Sequence, residues 1–246
     1  MELSMRSRSL WRTAQLTILS LLMASASDAA ELSIVPRMPP VAAVDFASAK
    51  KQITGGPWTM EQAWRATPEN ELRSGTVRFG WTPDALWVLA ELTDEHIASR
   101  STTHNQDMWA LGDVFEIFVV RRGSPRYLEL HVTPNNHRLH LRWTKRDFAK
   151  AGRKLKAVAD FHADPDAFQS WVRRYPEGSG WQVLARIPAT IFPGGLAFRA
   201  GQRFAFSFSR YDAGPEETPM ILSSTSPHRK LNYHRRHEWR TVLLGP

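Results

Sequence analysis

The chain has 246 residues, a formal charge of +8 from 32 Lys and Arg against 24 Asp and Glu, and no cysteine. The lack of cysteine excludes disulfides and covalent c-type haem attachment, so the fold must hold by packing alone. This length suits one domain with a substantial core.

Residues 1–29 read as a secretory signal. Arg6, Arg8 and Arg12 precede an apolar stretch, AQLTILSLLMA, and small residues suited to cleavage follow at Ala24-Ser25-Ala26 or Ser27-Asp28-Ala29. The apolar part falls short of the ~20 residues a membrane helix needs, and no other segment is long and apolar enough to cross. Cleavage after Ala26 removes three arginines and one glutamate, lowering the charge from +8 to +6. An exported chain without cysteine points to the periplasm or exterior of a bacterium, with residues 30–246 as the mature domain. Residues 31–56, with Pro36, Pro39 and Pro40, read as an extended lead-in. Met60 to Thr67 predicts a short helix carrying Trp64 inward.

From residue 75 onward period-two alternation dominates, the pattern of strands with one buried face. GTVRFGW sets Val77, Phe79 and Trp81 to one side. ALWVLAELTD sets Leu86, Val88, Ala90 and Leu92 against Trp87, Leu89 and Glu91, and its mostly apolar second set suggests cover on both faces. DVFEIFVV and RYLELHV are joined by Arg-Arg-Gly-Ser-Pro, which is hairpin chemistry. HRLHLRW, GWQVLARIP, RFAFSFSRY and WRTVLL follow, with turn signals at Thr-Pro-Asn-Asn (133–136) and Pro-Gly-Gly (193–195). Residues 145–159 are basic and show no clean period. The expected fold is all-β: an antiparallel two-sheet sandwich of immunoglobulin or jelly-roll type, with about ten strands and a minor helix.

Alternation also sorts residues by face. If Phe115, Ile117 and Val119 point inward, Val114, Glu116 and Phe118 point outward. With Leu128, Leu130 and Val132 inward, Tyr127, Glu129 and His131 join Glu116, and Arg138, His140 and Arg142 are expected beside them. Phe204, Phe206 and Phe208 oppose Ala205, Ser207 and Ser209, a floor of small residues for either a ligand or a covering loop. Polar groups beside flat rings suit a sugar, whose hydroxyls take charge-assisted hydrogen bonds while its C–H faces stack on aromatic rings.

The succession VRFGWTPDALWVLAELTDEHI, MWALGDVFEIFV, RYLELHVTPNN, GWQVLARIP, GQRFAFSFSRYD and LNYHRRHEWRTVLL resembles the family 9 carbohydrate-binding modules and their relatives in the DOMON-like superfamily, over about residues 50–244. The resemblance implies a glycan-binding sandwich, non-catalytic itself and associated with separate glycoside hydrolases. It also implies a clamp of two aromatic rings on a terminal sugar, falling here on Trp109 and on Tyr233, six residues before Trp239. Glu116 is then an acceptor for sugar hydroxyls, His131 a polar contact, and Ser207 and Arg210 further binding candidates, while Asp113 fixes a loop into the strand. Departures from the family pattern are one extra residue between Trp109 and Asp113, Tyr233 where a tryptophan or a histidine-containing segment is more usual, Ser207 where asparagine is usual, Leu184 where glutamate is common, and Thr54-Gly55 in place of Asp-Gly. Structural calcium, found in some members, is therefore not implied.

Three rival chemistries are weaker. A glycosidase needs carboxyls flanking a bond, and Asp113 and Glu116, three apart on one strand, face opposite ways. Haem, bound by some DOMON-like relatives, is the alternative, with Met108 and His131 or His140 as candidate ligands. His234 and His237 have metal-like spacing, but the arginines around them favour an anionic partner such as an acidic polysaccharide, lipopolysaccharide or phosphate. Nucleic acid suits the charge, but export removes the chain from it.

Overall fold

The computed structural model describes residues 32–41, 44–154, 156–175, 179–215 and 218–246. The expected signal segment, 1–29, lies outside them. Twelve strands and two α-helices are present among the described residues. In chain order the strands are β1 (Ser33–Val35), β2 (Gly55–Thr59), β3 (Gly75–Thr82), β4 (Ala85–Thr93), β5 (Val114–Arg121), β6 (Arg126–Val132), β7 (Arg138–Thr144), β8 (Gln169–Arg174), β9 (Gly180–Pro188), β10 (Arg203–Asp212), β11 (Ile221–Ser224) and β12 (Arg240–Leu244). The helices are α1 (Phe46–Gln52) and α2 (Lys145–Gly152).

The strands form two sheets. One has seven strands in the order β1-β12-β10-β5-β6-β7, with β11 also paired to β10; the other has five, β2-β3-β4-β9-β8. All pairings are antiparallel except β1 with β12. The main core lies between the sheets and takes the alternating sets read from sequence: Val77, Phe79 and Trp81 from β3, Phe115, Ile117 and Val119 from β5, and Phe204, Phe206 and Phe208 from β10. These strands form because β-branched and aromatic side chains at every second position fill one face of the pleat.

Each sheet is also covered outside. Trp87, Leu89 and Leu184 lie with Ala49 and Ile53 in a second cluster beneath α1. That helix starts at Asp45, whose carboxylate accepts the amide hydrogens of Ala47 and Ser48. The supposed lead-in of 31–56 thus contains a strand and a helix. The short helix predicted over 60–67 is absent: Glu61 bridges Ser224, turns follow, and Trp64 packs half-buried against the outer face of the large sheet.

One strand runs with the opposite parity to that expected. β7 pairs with β6 so that Leu128 faces Arg142, Leu130 faces His140 and Val132 faces Arg138. Arg138, His140 and Arg142 therefore lie on the inner side of the sheet, and Leu139, Leu141 and Trp143 share the outer face with Glu129. β7 is the last strand of the larger sheet, and no β7 residue belongs to the inter-sheet core. Its inner side is met by the segment around 162–168 instead: His140 Nδ1 lies 2.7 Å from the Asp164 carbonyl, and Arg138 donates to the Pro165 carbonyl at 3.0 Å.

Candidate functional site

The outer face of the seven-stranded sheet carries a third apolar cluster and, within it, a cavity of about 480 Å³. β5 and β6 contribute Glu116, Phe118 and Glu129 to its lining, β7 contributes Leu141 and Trp143, and β10 contributes Tyr211. α2 supplies Phe148 and Ala151. This helix opens on a capping box, in which Thr144 Oγ1 accepts from the Asp147 amide and the Asp147 carboxylate accepts from the Thr144 amide. Phe148, Ala151 and Gly152 then fall on one face by helical spacing. The segment before β12 adds Tyr233 and His234.

Two buried carboxyls and a histidine form the polar part of this wall. His131 Nε2 lies 2.8 Å from Glu129 Oε1 and 3.1 Å from Glu116 Oε1, and all three residues are at most 4% exposed. Glu129 Oε2 accepts from Trp143 Nε1 at 2.5 Å. Glu116 Oε2 is buried with no partner in the protein. Burial pushes the Glu116 carboxyl up to about 8, helped by Glu129 and opposed by His131. Burial also raises Glu129, but His234, His131 and the Trp143 hydrogen bond outweigh it and hold Glu129 below its ordinary value. His131 is raised, because Glu116 and Glu129 outweigh its burial. At neutral pH this gives an ionised Glu129 and a neutral Glu116 acid on either side of the His131 Nε2. The unsatisfied Glu116 oxygen belongs to a residue lining the cavity.

The sequence-derived candidates divide. Trp109, Glu116 and Tyr233 line this one cavity. Trp109 is half-buried and meets His131 edge-on, ring centroids 5.7 Å apart. Tyr233 is 5% exposed; its hydroxyl donates to the Arg210 carbonyl at 3.3 Å, and its ring packs among Trp64, Phe118 and Tyr211. His131 is fully buried behind Trp109, gripping the two carboxyls. Ser207 does not reach the cavity: it lies beneath the segment after β11, with its Oγ 3.0 Å from Ser224 Oγ and 3.3 Å from His228 Nε2. The covering loop, not a ligand, explains Ser207 and Ser209 in that floor.

Arg210 is also elsewhere. It pairs with Phe115 across β5, on the inward face, and its guanidinium bonds Asp94 and Asp212 at 3.1 Å each and the Thr93 carbonyl at 2.7 Å. Asp94, Asp113 and Asp212 cluster closely enough to suggest a cation site. They do not fit calcium, because Arg210 already supplies the positive charge and both Asp113 oxygens accept backbone amides, from Ala213 at 2.7 Å and Ala98 at 2.5 Å. Asp113 thus ties two loops to the start of β5. Haem fits no better with its expected ligands: His131 is fully buried with its Nε2 held between Glu116 and Glu129, Met108 is fully buried in the apolar cluster, and His140 lies on the other side of the sheet.

Trp143, Phe148, Tyr211 and His234 were not anticipated in the cavity. Trp143 follows from the parity of β7, and Phe148 from the Thr-x-x-Asp capping signal at 144–147, which marks α2 in the sequence. His234 has metal-like spacing from His237, yet its Nδ1 lies 2.8 Å from the Tyr127 hydroxyl and its ring stacks on Phe148 at 3.8 Å.

Neither a protein-family model nor a curated protein matches the sequence. A candidate carbohydrate-binding protein from Bacteroides uniformis ATCC 8492 matches in structure with a TM-score of 0.68 at 15% identity, over 87% of this chain and 98% of its own. A family 9 carbohydrate-binding module from Caldicellulosiruptor kristjanssonii in complex with cellotriose gives 0.56 at 19% identity, over 87% of this chain and 94% of its own. A structure of such a module from the same organism in complex with glucose gives 0.57 at 19%, over 87% and 95%. The chain has the fold of family 9 carbohydrate-binding modules. At these identities the likeness is one of fold, and the chemistry of this cavity rests on its own side chains.

Proposed function

We propose that this chain is an exported carbohydrate-binding module, a family 9 relative within the DOMON-like superfamily, which holds a sugar unit in the outer-face cavity and serves a separate glycoside hydrolase. The observation that carries the reading is the buried Glu116 carboxyl, with an oxygen that has no protein partner, in the wall of a cavity also lined by Trp109, Trp143, Phe148 and Tyr211. A buried polar atom left unpaired costs about 1–3 kcal/mol, and a sugar hydroxyl at Oε2 removes that cost while the ring C–H faces pack on Trp109 and its neighbours. The volume, about 480 Å³, falls in the ~300–1,000 Å³ range of small-molecule sites.

Binding, not hydrolysis, is what the carboxyls support. Glu116 and Glu129 both contact the same nitrogen of His131, so they grip a side chain instead of flanking a glycosidic bond. Tyr233 is too deeply packed to face a sugar with its whole ring, so Trp109 covering ~60 Å² of sugar at ~25 cal/mol/Å² gives about 1.5 kcal/mol before hydrogen bonds, which after association costs points to millimolar affinity. A glycan array followed by calorimetry, starting with cellotriose and glucose because the structural neighbours hold them, tests the reading. Trp109→Ala is expected to remove about 1.5 kcal/mol, or about tenfold in Kd, without unfolding the domain. Absence of binding to every glycan at millimolar concentration refutes it. Export is checked separately, by N-terminal sequencing of the protein recovered from a secreting host.

A further inference from the structure

Beside the main cavity is a second, of about 370 Å³. The two share Phe148 and His234, whose rings stack at 3.8 Å and stand between them. The chemistry changes across this partition. The main cavity carries Glu116 and Glu129, whereas the second is lined by Arg121, Arg122, Lys145, Arg236 and His237 and by no carboxylate.

These charges come from separate elements: the end of β5 and its hairpin turn, the first turn of α2, and the turn before β12. Arg236 is aimed by its own hydrogen bonds, donating to the Ser124 and Pro125 carbonyls at 3.1 Å each, with its guanidinium 5.2 Å from the centre of the Tyr127 ring. Carbonyls position such a charge without neutralising it. Among the described residues Arg121, Arg122, Lys145 and Arg236 form no ion pair. Of the carboxylates nearby in sequence, Asp147 is committed to the capping box of α2, and Glu238 to Arg235 and His228, with His237 at 3.7 Å the lining residue it approaches. Like charges gathered around a concavity repel one another and focus a field that attracts an anion.

We infer that this second cavity takes the anionic substituent, carboxylate or sulfate ester, of an acidic glycan whose neighbouring sugar unit occupies the main cavity. The inference rests on the glycan reading and narrows it to acidic saccharides. A neutral sugar fills the first cavity only. An acidic one spans the Phe148–His234 partition, stacking on one side and meeting unpaired guanidinium and ammonium groups on the other.

Calorimetry on the intact protein with cellotriose, trigalacturonate and a sulfated cellotriose, each at low and high salt, tests this. At low salt at least one acidic probe is expected to bind more tightly than cellotriose and to lose that advantage at high salt. In the double variant Arg122→Gln/Lys145→Gln, whose replaced side chains are exposed, the acidic probe is expected to weaken about fivefold or more while cellotriose is unchanged. Trp109→Ala is expected to weaken both classes. The two acidic probes separate carboxylate from sulfate as the preferred group. Cellotriose binding that depends on Trp109, with neither acidic probe preferred, overturns this inference and leaves the glycan reading standing. An acidic probe that responds to the double variant but not to Trp109→Ala, and is displaced by inorganic phosphate, overturns the shared-ligand claim in favour of a separate anion site. Failure of all three probes to bind counts against the glycan reading itself.

Discussion

Glu116→Gln tests the charge state of the cavity wall through stability. The Glu116 carboxyl is raised by burial from 4.5 to about 8, so between those values the folded protein holds a proton that the unfolded chain has released. Stability must then fall as pH rises through that window, by about 1.4 kcal/mol per pH unit. Glutamine has the shape of the neutral acid, accepts from His131 through its Oε1, and carries no such proton. Asp113, raised to about 7, and Asp212, raised to about 6, slope in the same direction, but they do so in both proteins and cancel in the difference. The stability that Glu129 contributes is lost only as pH falls below 4.5, and that of His131 is fully present up to 6.5, because the one is lowered and the other raised. From about pH 5 to about 6.5, therefore, the variant should gain about 2 kcal/mol on the wild type. Urea unfolding of both proteins at several pH values in that range measures it. A difference that stays constant with pH means that Glu116 folds ionised, and the raised carboxyl is wrong.

Arg210→Met should cost about 3–5 kcal/mol, since it leaves Asp94 and Asp212 buried without their cation; a chelator should leave the wild-type Tm unchanged, and a chelator-induced drop in calorimetric scans would show that a metal shares the cluster. Tyr233→Phe removes the hydrogen bond to the Arg210 carbonyl and should lower unfolding free energy by about 1 kcal/mol with glycan affinity retained; lost affinity in a stable variant would give the hydroxyl a ligand role. Gly112→Ala forces a side chain onto a backbone at φ +131°, with its Cβ 2.4 Å from the Ala98 carbonyl oxygen. It should shift the segment holding Trp109 and weaken glycan binding as well as stability, as calorimetry and thermal melts would show; unchanged affinity would mean that Trp109 is positioned independently of this turn.

The sandwich is legible where one residue type repeats on alternate positions of a central strand, as in Phe204, Phe206 and Phe208, because only burial between sheets rewards that pattern. It is least legible at the margins. β7 carries apolar and polar residues on both parities, and its polar set lies inward because the strand lies beyond the inter-sheet core, where Arg138 and His140 find carbonyls from the 164–165 segment. α2 is announced by its capping residues, yet its basic outer face hides the short apolar stripe of Phe148 and Ala151. In the cavity, Trp109, Glu116 and Tyr233 follow from strand parity and family pattern. Arg210 does not, since one step along β10 from Ser209 reverses the face. The third apolar cluster, around the cavity, could not be read from alternation alone: period two separates the faces of a sheet without saying whether the outer one meets solvent or a covering helix.

A crystal structure of the protein soaked with an oligosaccharide tests the central claim most directly. A pyranose ring packed on Trp109 within the outer-face cavity, with a hydroxyl at Glu116 Oε2, is the expected result. Sugar density on another surface of a crystal with this cavity open to solvent, or a hydroxyl-free contact that leaves Oε2 unpaired, contradicts it.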